Sequence, residues 1–265
     1  MPTEPSLLIS QAKPRPGTWP DGGSFVVRQS VGTEELIRER LDVVRERVVE
    51  ALGESGRPPD GVRILVASKY YAPEQMAALV GAGVELLGEN KAEDLLRKQE
   101  EFGDAFEWHF IGHLQRRKAK EVVTRVALIH SVDSVRLVEE LAKRAPEEGV
   151  EVLLQVNVSG EESKYGVEEG EVEPLLEAAA RSEGRVRARG FATLAPLVER
   201  AEDVRYVFAK LRAIRDRLEN SWSSHFDLSE LSMGMSNDYR VAVEEGATII
   251  RIGRALIEEA EETRS

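Results

Sequence analysis

Short apolar runs alternate with amphipathic stretches along most of this chain. The apolar runs are Ile64–Ser68, Glu85–Gly88, Trp108–Ile111, Leu128–Ser131, Val152–Val156, Ala188–Ala192, Leu228–Ser232 and Ile249–Ile252. They are the length of buried strands, rich in β-branched and aliphatic residues and bounded by turn formers. Between them, helical periodicity covers 73–81, 90–100, 117–123, 134–145, 171–182, 201–220 and 238–245. A further helix is predicted to start at the capping sequence Thr33-Glu34-Glu35-Leu36 and run to about Leu52, with Leu36, Leu41, Val44 and Val48 as its apolar stripe. Eight strands separated by seven helices predict an α/β fold, a single (β/α)8 TIM-type barrel. A doubly wound open sheet is the competitor. It usually has fewer strands and a glycine-rich phosphate turn after its first strand. Here the first strand runs into Lys69-Tyr70-Tyr71-Ala72-Pro73, with no glycine. The barrel is predicted to occupy residues 33–265. Residues 1–32, with prolines at 2, 5, 14, 16 and 20, read as a poorly ordered extension.

In a barrel the residues just past each strand line the site. Those positions are Lys69, Glu89-Asn90, Gly112-His113, Val132-Asp133, Asn157, Thr193, Met233–Ser236 and Gly253-Arg254. Lys69 carries the most chemistry. An amine at the mouth of a barrel can be desolvated, lose its proton and attack a carbonyl to form a Schiff base. Burial and Arg251 would both favour the neutral amine. A lysine that only ends a strand and snorkels to water is the alternative. Two turns late in the chain suggest an anion cradle. Leu231-Ser232-Met233-Gly234-Met235-Ser236-Asn237-Asp238 leads from the seventh strand into a helix, with Ser236 and Asn237 where N-cap residues would be. Arg251-Ile252-Gly253-Arg254 follows the eighth. Helix N-termini after the last two strands are the recurring barrel phosphate site. A lysine, a phosphate cradle and Arg251 together suit a phosphorylated aldehyde, of which pyridoxal 5′-phosphate is the common example.

Composition narrows the function. The 265 residues carry 48 acidic and 36 basic side chains, a net charge of −12. That balance argues against a nucleic-acid binder. The basic run Arg116-Arg117-Lys118 reads as a solvated helix face. There is no cysteine, which excludes disulfides and thiolate chemistry. No apolar run approaches the ~20 residues of a membrane span, and the N-terminus does not read as a secretory signal. A cytoplasmic monomer, free of membrane and nucleic acid, is expected. His109 and His113 lie on a strand and a loop, not one helix face, so no metal site is expected.

The segments Val66-Ala67-Ser68-Lys69, Gly88-Glu89-Asn90, Trp108 to Gln115, Gln155-Val156-Asn157, Ser163-Lys164-Tyr165-Gly166, Leu231 to Ser236 and Arg251-Ile252-Gly253 resemble the YggS/PROSC family of pyridoxal phosphate homeostasis proteins. The resemblance runs from about Val44 to Ile257. It implies a barrel like the N-terminal domain of alanine racemase, the fold type III of pyridoxal phosphate proteins. It implies a Schiff base at Lys69 and phosphate contacts from Ser236 and the Gly253-Arg254 turn. Arg251 would face the pyridine nitrogen and Asn157 the ring. Asn90 could reach the ligand or cap the following helix. The chain departs from the family pattern at Arg116-Arg117-Lys118 and at Gly190 to Pro196, which puts one loop and the packing near the ring in question.

The cofactor does not by itself make an enzyme. Racemisation needs an acid/base group on each face of the α-carbon. In alanine racemase, as the resemblance implies, the second is a tyrosine from a further domain. This chain ends soon after its eighth strand, and Tyr70 and Tyr71 follow the same strand as Lys69. An arginine at the ring nitrogen also keeps that nitrogen unprotonated and the ring a weaker electron sink. The expectation is a carrier that holds the cofactor reversibly and supplies apo forms of pyridoxal phosphate enzymes. The alternatives are an amino-acid racemase or related enzyme, and a cofactor-free barrel acting on a sugar phosphate.

Overall fold

A computed structural model describes residues 30–161 and 164–257. Eight parallel strands close into a barrel in sequence order. They are β1 (Arg63–Ala67), β2 (Leu86–Glu89), β3 (Glu107–Phe110), β4 (Leu128–Val132), β5 (Val150–Gln155), β6 (Val186–Ala192), β7 (Glu230–Met235) and β8 (Ile249–Ile252). β8 pairs with β1 and completes the ring. The predicted strands are present with small shifts. The largest is β7, which runs three residues further than its apolar run, because Gly234 lets a bulge continue the strand. Gly234 has φ +91°, and a Cβ there would stand 2.6 Å from that of Ala242.

The helices are α1 (Ser30–Glu54), α2 (Met76–Gly81), α3 (Ala92–Phe102), α4 (Ala119–Val122), α5 (Val135–Arg144), α6 (Val172–Ala180), α7 (Arg205–Trp222) and α8 (Tyr239–Glu244). α1 already includes Ser30–Gly32, so the helix starts before Thr33, inside the stretch read as an extension. Its buried stripe is Ile37, Leu41, Val44, Val48, Ala51 and Leu52, and Leu36 is exposed. One residue is 100° around a helix, so choosing Leu36 over Ile37 rotates the first turn off the packed face. The rest of the extension and the acidic tail after Ile257 lie outside the described residues, as does Ser163.

Two apolar regions result. The larger lies between sheet and helices and holds Phe110, Phe191, Phe208 and Met233. The smaller fills the barrel interior with Leu65, Leu86, Leu128, Leu153, Ala192 and Ile249. The interior is not wholly apolar, since His109, His130, Ser232 and Arg251 are buried on β3, β4, β7 and β8. At the N-terminal mouth, ion pairs join Arg63 to Glu230 at 2.9 Å and to Glu107 at 3.4 Å. No described helix is long and apolar enough to cross a membrane.

Candidate functional site

The C-terminal mouth gathers Lys69, Asn90, Ser236, Arg251, Gly253 and Arg254 from four strand ends. Lys69 sits in a 3₁₀ turn directly after β1 and is exposed. The expected burial of this lysine is therefore not found. Lys69 lies beyond the last residue of β1, Ala67, and its Nζ is 4.9 Å from the centroid of the Tyr70 ring. That ring packs on Gly253, where a Cβ would come within 2.4 Å of it. A side chain at 253 would push the Tyr70 ring off this position. Tyr71 is turned away into the core between sheet and helices, and burial pushes its phenol up to about 12.

The turn under Lys69 is clamped from behind. Lys98 of α3 donates to Glu89 at 2.6 Å and to the Ser68 carbonyl at 2.7 Å. The Ser68 hydroxyl donates to the same Glu89 oxygen at 2.6 Å, and the other Glu89 oxygen accepts the Asn90 N–H at 2.6 Å. One buried ion pair thus fixes the backbone at both Lys69 and Asn90. The Asn90 side chain does not cap α3, whose N-cap is Lys91. Its Oδ1 is buried without a hydrogen-bond partner. An unpartnered buried amide oxygen costs stability, which fits a group kept for a ligand.

Arg251 is buried on β8. Its guanidinium donates to the Ser232 carbonyl at 2.8 Å, the Ser232 hydroxyl at 2.6 Å and the Thr193 carbonyl at 2.7 Å. Three of its five N–H donors are used, which leaves two. Burial lowers it to about 10, with Asp238 opposing, so it stays charged at neutral pH. Burial in turn raises the Asp238 carboxyl, against its bond from the Met235 N–H and the charge of Arg251.

Ser236 is not a helix cap. α8 begins at Tyr239, its N-cap is Asp238, and it is only six residues long. Asn237 is exposed. The Ser236 Oγ instead accepts from the backbone N–H groups of Gly253 at 3.3 Å and Ala255 at 3.2 Å. After β8 comes one 3₁₀ turn, Arg254–Leu256, with Arg254 exposed. The cradle is thus a serine hydroxyl lying against loop amides, not a pair of helix N-termini. Met233, read as lining the mouth, points into the helix–sheet core.

Asn157 is committed to its own loop. Its Nδ2 donates to the Glu161 carbonyl at 2.9 Å, and its Oδ1 accepts from Ser159 and from the Gly160 N–H. It closes the loop after β5 rather than presenting a free amide. From that loop Tyr165 stacks on His113 with centroids 4.1 Å apart, and His113 pairs with Asp133 at 3.3 Å. Among the described residues no group of three or more potential ligands could hold a metal. Sequence reasoning missed Lys98, His130 and Ser232. Lys98 had a signal, because it follows Ala92 and Leu95 at three-residue steps on the buried face of α3.

A closed parallel barrel with a lysine past its first strand and a buried arginine on its last defines a known class. The family model for the alanine racemase N-terminal domain matches residues 66–260. A pyridoxal phosphate homeostasis protein of Aquifex aeolicus is 42% identical over 224 residues, covering 83% of this chain and 97% of that one. A crystal structure of a Bifidobacterium adolescentis protein superposes with a TM-score of 0.79 at 31% identity, covering 85% of this chain and 96% of the other. PipY of Synechococcus elongatus, solved with pyridoxal phosphate bound, gives 0.71 at 32% identity, covering 83% and 99%. The chain belongs to the family of pyridoxal phosphate homeostasis proteins.

Proposed function

We propose that this protein binds pyridoxal 5′-phosphate at the C-terminal mouth of its barrel and acts as a carrier in vitamin B6 homeostasis rather than as an enzyme. The observation that carries the reading is Arg251. A buried guanidinium with two spare N–H donors stands at the floor of a mouth that also holds an amine, an unpartnered amide oxygen and a hydroxyl-and-amide cradle. The guanidinium, the amine, the hydroxyl and the loop amides are a donor set that fits an anionic phosphate, an aldehyde and an aromatic nitrogen.

In this reading Lys69 is the covalent anchor. Its exposure leaves the amine open to an incoming aldehyde and open to exchange, as a carrier requires. Ser236, Gly253 and Arg254 hold the phosphate, with the Gly253 and Ala255 N–H groups turning from the Ser236 hydroxyl to the anion. Asn90 meets the ligand with its side-chain amide, whose N–H donates to a cofactor oxygen. Asn157 acts by shaping the loop beside the ring. Arg251 donates to the ring nitrogen and, being charged at neutral pH, holds its proton there. When bound, the cofactor supplies a reactive aldehyde and an electron-poor ring, which an unprotonated ring nitrogen leaves weak as an electron sink.

The carrier reading extends to partners. Apo forms of pyridoxal phosphate enzymes would receive the cofactor from a cytoplasmic monomer. The test is to load the protein, add an apo-enzyme, and follow recovery of that enzyme's activity. In parallel, L-alanine is incubated with the loaded protein in deuterated water. Transfer without α-proton exchange above that of free cofactor is expected. Exchange on the order of 1 s⁻¹ or faster would make the protein an enzyme.

A further inference from the structure

Behind Arg251 a line of buried polar side chains runs down the barrel interior to the opposite mouth. The Ser232 Oγ that Arg251 meets lies 2.8 Å from His130 Nδ1. His130 Nε2 lies 2.9 Å from His109 Nδ1. His109 Nε2 lies 2.8 Å from Glu107 Oε1. Glu107 opens β3 at the N-terminal mouth, half-exposed and facing Arg63. The line therefore joins a buried cation at the candidate site to an anion on the far side of the protein.

Its two ends fix the direction of every hydrogen bond between them. A carboxylate only accepts, so His109 Nε2 carries a hydrogen and donates to Glu107. Burial lowers both histidines and Glu107 is held in its charged form by His109, so both rings are neutral at pH 7. A neutral His109 then has Nδ1 as an acceptor, and His130 Nε2 must donate to it. His130 Nδ1 is left as an acceptor and takes the one proton of the Ser232 hydroxyl. Arg251 only donates, so Ser232 receives it on a lone pair. Every donor meets an acceptor, in one sense from Arg251 to Glu107. Without the His130 acceptor, the Ser232 proton could rotate toward the Arg251 N–H and oppose it.

We infer that Glu107, His109, His130 and Ser232 are positioning residues that lock Ser232 as an acceptor and so set the plane of the Arg251 guanidinium that meets the cofactor's ring nitrogen. The inference rests on the proposed placement of that nitrogen against Arg251. It assigns a role in cofactor binding to Glu107, a residue at the opposite end of the barrel. It also accounts for two buried histidines in an interior that is otherwise largely aliphatic at their level.

The tautomers are read by ¹⁵N NMR of histidine-labelled protein without cofactor at pH 7. Both His109 and His130 are expected as neutral Nε2–H rings. Pyridoxal phosphate affinity and the visible absorbance band of the bound cofactor are then compared in the unmodified protein, Glu107→Leu, Glu107→Gln and Ser232→Ala. Ser232→Ala should weaken binding about tenfold. Glu107→Leu, which removes the far acceptor, should weaken it at least about threefold and displace the band. Glu107→Gln, whose amide oxygen can still accept from His109, should restore both. A His130 found as Nδ1–H or as imidazolium would overturn the inference, as would a Glu107→Leu protein with unchanged affinity and band. Because the tautomers are read without cofactor, and binding is first shown for the unmodified protein, failure of the column and failure of the cofactor assignment give different results.

Discussion

Replacing Lys98 by methionine should be among the most damaging single changes outside the apolar core. Lys98 is 2% exposed and Glu89 is 0% exposed, and their charged atoms lie 2.6 Å apart. Methionine keeps the length and volume of the lysine stem but removes the ammonium. The Glu89 carboxylate then keeps only the Ser68 hydroxyl and the Asn90 N–H, in a site without water access. Breaking one partner of a buried pair costs roughly 3–5 kcal/mol. For a domain of this size that corresponds to a fall of roughly 6–20 °C in Tm. Removing both charges together, Lys98→Met with Glu89→Gln, should recover most of the loss, because the amide oxygen can accept from the Asn90 N–H while its NH2 donates to the Ser68 hydroxyl, whose own proton turns to the Gly88 carbonyl at 3.2 Å. The assay is urea unfolding followed by circular dichroism for the unmodified, single and double variants. A loss below about 1 kcal/mol in the single variant, or a double variant no better than the single, would refute the reasoning. Cofactor binding gives a second readout, since the same ammonium holds the Ser68 carbonyl beside Lys69.

Two further outcomes follow from the site and the interior. Ser236→Ala removes a hydroxyl contact to a charged phosphate, worth roughly 1.5–3 kcal/mol, so titration should show about a tenfold or greater loss of pyridoxal phosphate affinity; pyridoxal, lacking the phosphate, should bind the unmodified protein poorly, and equal affinity for the two would contradict the cradle. His109 and His130 have folded-state pKa values lowered by burial. Above the unfolded value of ~6.5 both states are neutral and their contribution to stability is fully present. As pH falls below that value the unfolded chain takes up protons that the folded one does not, so stability falls, by up to about 1.4 kcal/mol per pH unit for each histidine. Urea unfolding at pH 7.5, 6.5 and 5.5 should show that fall. It should be smaller in His130→Gln, and equal slopes in the two proteins would contradict the buried neutral rings.

The fold was legible because short apolar runs and stretches of 3.6-residue period alternate cleanly enough to count eight strands. Register was less so. A one-residue choice between Leu36 and Ile37 turned the first helical stripe, and the Gly234 bulge extended β7 past its apolar run. Lys69, Arg251, Ser236 and Gly253 could be placed at one mouth because strand ends in a closed parallel barrel share a face. How they are held was not legible. The Glu89–Lys98 pair joins a strand end to a helix, and the Ser232–His130–His109 line crosses the interior between strands far apart in sequence. Local pattern carries no record of such cross-barrel distances. Asn157 shows a related limit, since a polar residue at a strand end can serve its own loop as readily as a ligand.

The central claim is that Lys69 holds pyridoxal phosphate covalently and reversibly. The protein is loaded with the cofactor and its absorbance spectrum is recorded. Half is treated with borohydride, digested and mapped by mass spectrometry, beside Lys69→Ala treated alike. The account predicts a visible band lost on reduction, a reduced cofactor adduct on the peptide carrying Lys69, and a folded Lys69→Ala protein with neither band nor adduct. A band and adduct retained in Lys69→Ala, with Lys164 as the modified residue, would contradict it.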